Sequence, residues 1–112
     1  MGRYGEDVAA RSLVAGGMEV LDRNWRGRAG ELDLVLRDGD AIVFCEVKTR
    51  SSAIGGHPLE AVDAAKLGRI RRLAAQWLEA HDVRTHDIRI DLVGVIRTGR
   101  GPAEVVHVAG VG

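Results

Sequence analysis

Cysteine is almost absent from this chain: Cys45 stands alone, which excludes an internal disulfide and a cysteine-based zinc site. Long apolar runs are missing too. Nothing approaches the roughly 20 residues of a membrane span, and the charged N-terminus has no apolar signal-peptide segment, so a cytoplasmic protein with no membrane partner is expected. An excess of charge of either sign is also lacking. Sixteen Lys and Arg balance sixteen Asp and Glu for a formal net charge of +0; no global field draws the chain to nucleic acid, and any such binding needs a local patch. There is no internal repeat, low-complexity tract or linker. What is present, 46% hydrophobic and 29% charged residues in 112 positions, is the composition of a soluble globular protein. One domain over residues 1–112 with an ordinary core is expected.

Periodicity lays out the elements. Tyr4 to about Ala15 reads as a helix ended by Gly16-Gly17, which fits a C-cap. Met18 to Leu21 reads as a short strand before the polar stretch Asp22-Arg23-Asn24-Trp25-Arg26-Gly27-Arg28. Strands follow over Glu31 to Arg37 and Ala41 to Arg50. Ser51 to His57, with Gly55-Gly56, reads as a flexible loop able to bind a ligand, and Pro58 fits the first turn of a long helix to about His81. Ile88 to Ile96 is a strand, Thr98 to Pro102 a turn and Val105 to Val108 a last, weaker strand. A long helix between the third and fourth strands is what a parallel crossover requires. The fold class is therefore α/β, a mixed sheet flanked by helices.

The two central strands hold most of the information. Leu32, Leu34 and Leu36 alternate with Glu31, Asp33 and Val35; Val43, Cys45 and Val47 alternate with Phe44, Glu46 and Lys48. This alternation predicts a single face for the three leucines and a core-facing Cys45. Asp38-Gly39 is a two-residue hairpin signal, since a type I′ turn needs positive φ at both central positions. With those two residues as the loop, Arg37 pairs with Asp40, Val35 with Ile42, Asp33 with Phe44 and Glu31 with Glu46. Asp33 and Glu46 then share a face as diagonal neighbours at about 7–8 Å, and Glu31 opposes Glu46 directly, which is destabilising. Either Lys48 or a divalent cation would offset the charge; Mg²⁺ is typically held by one or two carboxylates plus waters and phosphate oxygens. On a solvated face such charges need no explanation, but under a helix they are costly unless they bind a cation or one another.

Other side chains allow two readings each. Glu6 shares a helix face with Ala9, Ala10 and Leu13: it either points at the sheet carboxylates or simply favours the helix dipole. Lys66, spaced with Val62 and Ile70 beside the stripe of Leu59, Leu73 and Trp77, either snorkels its stem or aims its ammonium at a phosphate near the carboxylates. Arg23, Arg26, Arg28 and Arg50 surround Trp25 and the strand ends, a set suited to phosphate pairing and base stacking or merely to solvent. Arg69, Arg71 and Arg72 make a second basic segment. His57, His81, His86 and His107 show no metal-ligand spacing and read as ordinary surface or loop residues. Gly27, Gly30, Gly55 and Gly56 form no phosphate loop, and no Ser/His/Asp set is evident.

Taken in order, Gly5-Glu6-Asp7-x-Ala9-Ala10, Arg23-Asn24-Trp25-Arg26, Gly30-Glu31-Leu32-Asp33-Leu34 and Phe44-x-Glu46-Val47-Lys48-Thr49-Arg50 resemble the YraN-type family of small bacterial proteins over about residues 3 to 96. Lys66 and Arg89-x-Asp91 match as well. That family is placed among restriction-endonuclease-like, PD-(D/E)XK folds and is similar in its core to archaeal Holliday-junction resolvases. The resemblance implies an αβββαβ core in which Asp33 is the first site carboxylate and Glu46-Val47-Lys48 the acidic residue, spacer and lysine of the signature. Glu6 matches a helix-borne acid, Glu31 a second ligand or neighbouring residue, and Arg26, Arg50 and Lys66 outer residues or nucleic-acid contacts. Leu32 replaces the signature's proline, and Cys45 a more usual valine. Asp33 and Glu46 would hold Mg²⁺ or Mn²⁺, and Lys48 would orient the attacking water. The implied activity is metal-dependent DNA endonuclease, with branched or damaged DNA as substrate and a homodimer as the assembly that sets two sites on two strands. The alternative is a module that binds nucleic acid or a partner on this fold without catalysis.

Overall fold

In the computed structural model, residues 3–51, 62–85 and 87–111 are described. The chain runs α1 (Arg3–Ala15), β1 (Glu19–Gly27), β2 (Gly30–Asp38), β3 (Ala41–Arg50), α2 (Ala64–Ala80), β4 (Ile88–Ile96) and β5 (Glu104–Val108). The sheet order is β1-β2-β3-β4-β5, with β3 and β4 parallel and the other neighbours antiparallel. The expected α/β architecture, a mixed sheet between helices with a helical crossover, is thus observed. Gly55, Gly56, His57, Pro58, Leu59 and His86, which figured in the sequence reading, lie outside the described residues.

Local chemistry sets the element ends. Gly17, at φ 107°, lets the Met18 N–H reach back to the Leu13 carbonyl at 3.1 Å and its own N–H to Val14 at 3.0 Å, closing α1 as a Schellman turn. Helix α2 begins at Ala64 rather than Pro58: the Asp63 carboxylate accepts the Lys66 N–H at 2.8 Å, an N-cap that satisfies one orphan donor of the first turn. Strand β1 continues through the polar stretch instead of stopping at Leu21, because β2 pairs with it as far as Gly27↔Gly30. As an edge strand it exposes one row of charges, and composition hid it.

The β2–β3 turn is displaced by one residue from the expected position. Asp38 pairs with Ala41 and Val35 with Phe44, so Gly39 and Asp40 form the loop, and Gly39 alone carries positive φ, at 61°. Glycine at the first central position is the requirement of a type II′ turn. Pairing moves by two residues, which preserves every face. The predicted pairs Asp33 with Phe44 and Glu31 with Glu46 are therefore not formed.

Each face of the sheet carries one core. Ala9, Ala10 and Leu13 of α1 pack on Leu34, Leu36, Val43, Cys45, Val93 and Val95. Ile70, Leu73, Ala74 and Trp77 of α2 pack on Leu32, Val35, Ile42, Phe44 and Ile90. Leu32 thus faces α2 while Leu34 and Leu36 face α1, against the single face expected of the three. The reversal falls at Asp33. Across the hairpin, Arg23↔Leu34 and Trp25↔Leu32 are paired, and Asn24 between them is left-handed at φ 53°, a conformation that asparagine tolerates better than most residues. The hairpin tip consequently folds over α2.

α1 meets β3 closely at Gly5, where an added Cβ would collide with Thr49 Oγ1. Gly5→Ala should therefore lose about 1–3 kcal/mol of stability through overpacking, despite the ~1 kcal/mol that alanine adds to a helix interior. Urea unfolding measures this, and Thr49→Ala in the same chain should recover part of the loss. A stabilised Gly5→Ala protein would show the two elements to be loosely packed.

Candidate active site

The β2–β3 ladder ends at Leu34↔Cys45. One residue further, Asp33 Oδ2 accepts the Val47 N–H at 2.8 Å. A carboxylate takes the place of a ladder carbonyl, so the strands part and a charged group sits at the opening. Burial pushes the Asp33 carboxyl up to about 6; the Val47 N–H works against it, and the carboxylates of Glu46, Glu6 and Glu31 add to it. The structure thus brings Asp33, Glu46 and Glu6 into one electrostatic group.

Each neighbour is held differently. Glu46 Oε2 pairs with Lys66 Nζ at 2.8 Å, so the Lys66 ammonium is turned to the carboxylates. Glu6 is 6% exposed on the buried face of α1, resolving its two readings toward the sheet. Among the described residues its Oε1 has no hydrogen-bond partner; Arg23 Nη2 stands 3.9 Å away and bonds Asp7 instead at 2.7 Å. Lys48 is exposed and makes no ion pair among the described residues. Glu31 is exposed and pairs at 3.7 Å with Arg26, whose side chain is 86% exposed. Arg50 is half-buried, with its Nε lacking a hydrogen-bond partner among the described residues.

The donor set suits a hard divalent cation. Carboxylate oxygens are the ligands such ions prefer, and among the described residues the buried Glu6 Oε1 has no hydrogen-bond donor. Among the described residues no three His, Cys, Asp or Glu side chains converge as one ligand set. Asp33 and Glu46 are the carboxylates that could hold such an ion, and one or two carboxylates is what Mg²⁺ usually takes from a protein.

The contacts within two polar clusters escaped the sequence reading, although Arg89-x-Asp91 is part of the resemblance. Asp91, 0% exposed, accepts from Arg89 Nε at 2.8 Å and Nη2 at 3.0 Å and from the Gly110 N–H at 3.1 Å. His107 Nε2 lies 2.7 Å from its Oδ2, so His107 is exposed as expected but has a buried partner. His81 is likewise exposed and stacks on Trp77 at 4.1 Å, while Trp77 Nε1 donates to Asp22 at 3.0 Å. An aspartate inside the apolar run of β4 was the available signal for the first cluster, since a buried carboxylate demands donors. Cys45 is in the core as expected, its thiol pushed up by burial and then by Asp91, Asp33 and Glu46.

A five-strand mixed sheet clasped by two helices, with acids gathered where two strands part, defines an α/β protein consistent with a restriction-endonuclease-like core. The chain belongs to the family described as Uncharacterised protein family UPF0102, which matches residues 5–95, the YraN-type family of the sequence resemblance. The UPF0102 proteins of Beutenbergia cavernae and Nocardioides sp. are 59% and 58% identical over 112 residues, covering 100% of this chain and 95% and 90% of theirs. That of Arthrobacter sp. is 49% identical over 112 residues, covering 100% of this chain and 95% of its own. Among the described residues no helix is long and apolar enough to cross a membrane.

Proposed function

We propose that this protein is a Mg²⁺- or Mn²⁺-dependent endonuclease that hydrolyses phosphodiester bonds of DNA, with branched or damaged DNA as its substrate. The observation that supports it is the parting of β2 and β3 at Asp33, with Glu46 and the buried Glu6 adding charge around that carboxylate. Asp33 and Glu46 would hold the cation. When bound, the metal supplies Lewis acidity to a phosphate oxygen and lowers the pKa of a water. Lys66 anchors Glu46 through their ion pair. Lys48, two residues beyond Glu46 on β3 and without an ion pair among the described residues, is free to hold the attacking water or a phosphate oxygen. Glu6 adds negative charge from the α1 side. The substrate class rests on analogy with junction resolvases, for which a homodimer would set two sites on two strands.

The test incubates the protein with Mn²⁺ or Mg²⁺ and linear, single-stranded, flapped and four-way-junction DNAs. Wild-type cleavage is expected, and Glu46→Ala should lower the rate by roughly 100-fold or more, since even residues that only support metal ligands are worth 10–100-fold. Equal rates in the two proteins would refute the assignment. Failure of the wild type on every DNA would favour the non-catalytic binding module.

A further inference from the structure

A chain with a formal net charge of +0 must hold nucleic acid with a local patch, and the carboxylates of the site repel phosphate. The tip of the β1–β2 hairpin offers the complementary surface. Between it and the C-terminal half of α2 lies a cavity of about 370 Å³ lined by Trp25, Arg26, Gly27, Arg28, Gln76, Glu79 and Ala80, within the range of roughly 300–1,000 Å³ typical of ligand clefts. We infer that this cavity is a subsite for one unstacked nucleobase of single-stranded DNA, with Trp25 as the stacking surface. The subsite rests on the nucleic-acid reading above and adds which form of the substrate is gripped, and where.

The two tryptophans differ in a way that bears on this. Trp77 is 3% exposed, and its indole N–H is spent on Asp22. Trp25 is half-buried, borders the α2 core and lines the cavity, and among the described residues its N–H has no hydrogen bond. An amphipathic ring wet on one side is what a base-stacking position requires. Gly27 keeps the wall tight: a Cβ there would lie 2.5 Å from Gln76 Oε1 and 2.6 Å from the Trp25 ring. Gln76 Oε1 accepts the Ala29 N–H at 3.2 Å, which turns the amide N–H groups of Gln76 away from that bond. Glu79 adds an acceptor. A donor and an acceptor beside an aromatic face match the polar edge of a base. Arg26 and Arg28 at the rim are exposed and suit the flanking phosphates.

Placement supports the same reading. Trp25 is paired with Leu32, the residue before Asp33, so one hairpin carries the cavity and the carboxylate. A base inside an intact duplex cannot enter such a cavity without leaving its stack. Single strands, or the unpaired nucleotides of a junction or flap, are therefore preferred.

The experiment titrates the full chain in EDTA, where no metal-dependent cleavage occurs, with a single-stranded oligonucleotide and with its blunt duplex, following tryptophan emission. The single strand should quench emission and bind at least about tenfold tighter than the duplex. Trp25→Ala should weaken it roughly 5- to 150-fold, the worth of one base–aromatic stack, whereas Trp25→Phe should retain affinity but lose quenching. Arg28→Glu, at an exposed position that leaves the fold intact, should flatten the slope of log affinity against log salt by about 0.7 or more, as expected when one phosphate is no longer neutralised. Should Trp25→Ala fail to fold, Trp25→Phe and Arg28→Glu decide. Wild-type affinity in both Trp25→Ala and Arg28→Glu, or equal quenching by duplex, overturns the subsite. Cleavage in Mn²⁺ without quenching in EDTA would reject the subsite and keep the nuclease; Trp25-dependent quenching without cleavage would do the reverse.

Discussion

Asp33→Asn is expected to abolish cleavage of DNA and, at about pH 8, to make the protein more stable than the wild type. The carboxyl rises from 3.8 to about 6 on folding. Between those values the native state keeps a proton that the unfolded chain has released, so stability falls as pH rises through that window and the full penalty is present above it. Each pKa unit is worth about 1.4 kcal/mol, so the ionised side chain costs on the order of 3 kcal/mol as an upper estimate. Asparagine removes the charge and keeps an oxygen for the Val47 N–H. Urea unfolding at about pH 8 should therefore favour the variant by about 1–3 kcal/mol, with the gap narrowing toward about pH 4. Mg²⁺ should raise the wild-type Tm at the higher pH and leave the variant nearly unchanged, because only a ligand that binds the native state stabilises it. A variant less stable than wild type at about pH 8 would mean that Asp33 is held as a satisfied anion, and the site as described would be wrong.

Asp91→Ala should be the most damaging single change away from the site. Its carboxylate gathers Arg89, His107 and the Gly110 N–H, and Arg89 also reaches Asp38 at 3.0 Å. Truncation strands these groups at a fully buried position. Breaking such a pair typically costs about 3–5 kcal/mol, a large part of the roughly 5–15 kcal/mol that holds a domain folded. The pH response is opposite to that of Asp33. Burial pushes the Asp91 carboxyl up, but the hydrogen bonds from Arg89, His107 and Gly110 outweigh it and leave the group below its ordinary value. Its contribution is present above the unfolded pKa and lost as pH falls through the folded one. Denaturation curves should show the variant's deficit shrinking in acid, and hydrogen exchange should show β5 and the Val111–Ile90 hydrogen bond (2.8 Å) deprotected first. A deficit below about 1 kcal/mol would show that water replaces the carboxylate readily.

The sequence by itself determined the elements and the crossover. Apolar spacing in α1 and α2, alternation in β3, the apolar run of β4 and the acid-x-lysine order of Glu46 and Lys48 are local properties, and local rules read them. The N-cap Asp63 was equally local, yet Pro58 upstream offered a competing start. What only the tertiary structure decided has one cause. Asn24 takes a left-handed conformation opposite Asp33, the side-chain phase of the hairpin reverses there, and Leu32 and Trp25 turn to α2 while Leu34 and Arg23 turn to α1. Alternation assumes an unbroken pleat, so it could not foresee the reversal. The same holds for the partners of buried charge. Glu46 with Lys66, Asp91 with His107 and Asp22 with Trp77 are brought together by packing across elements, and no spacing along the chain encodes those distances.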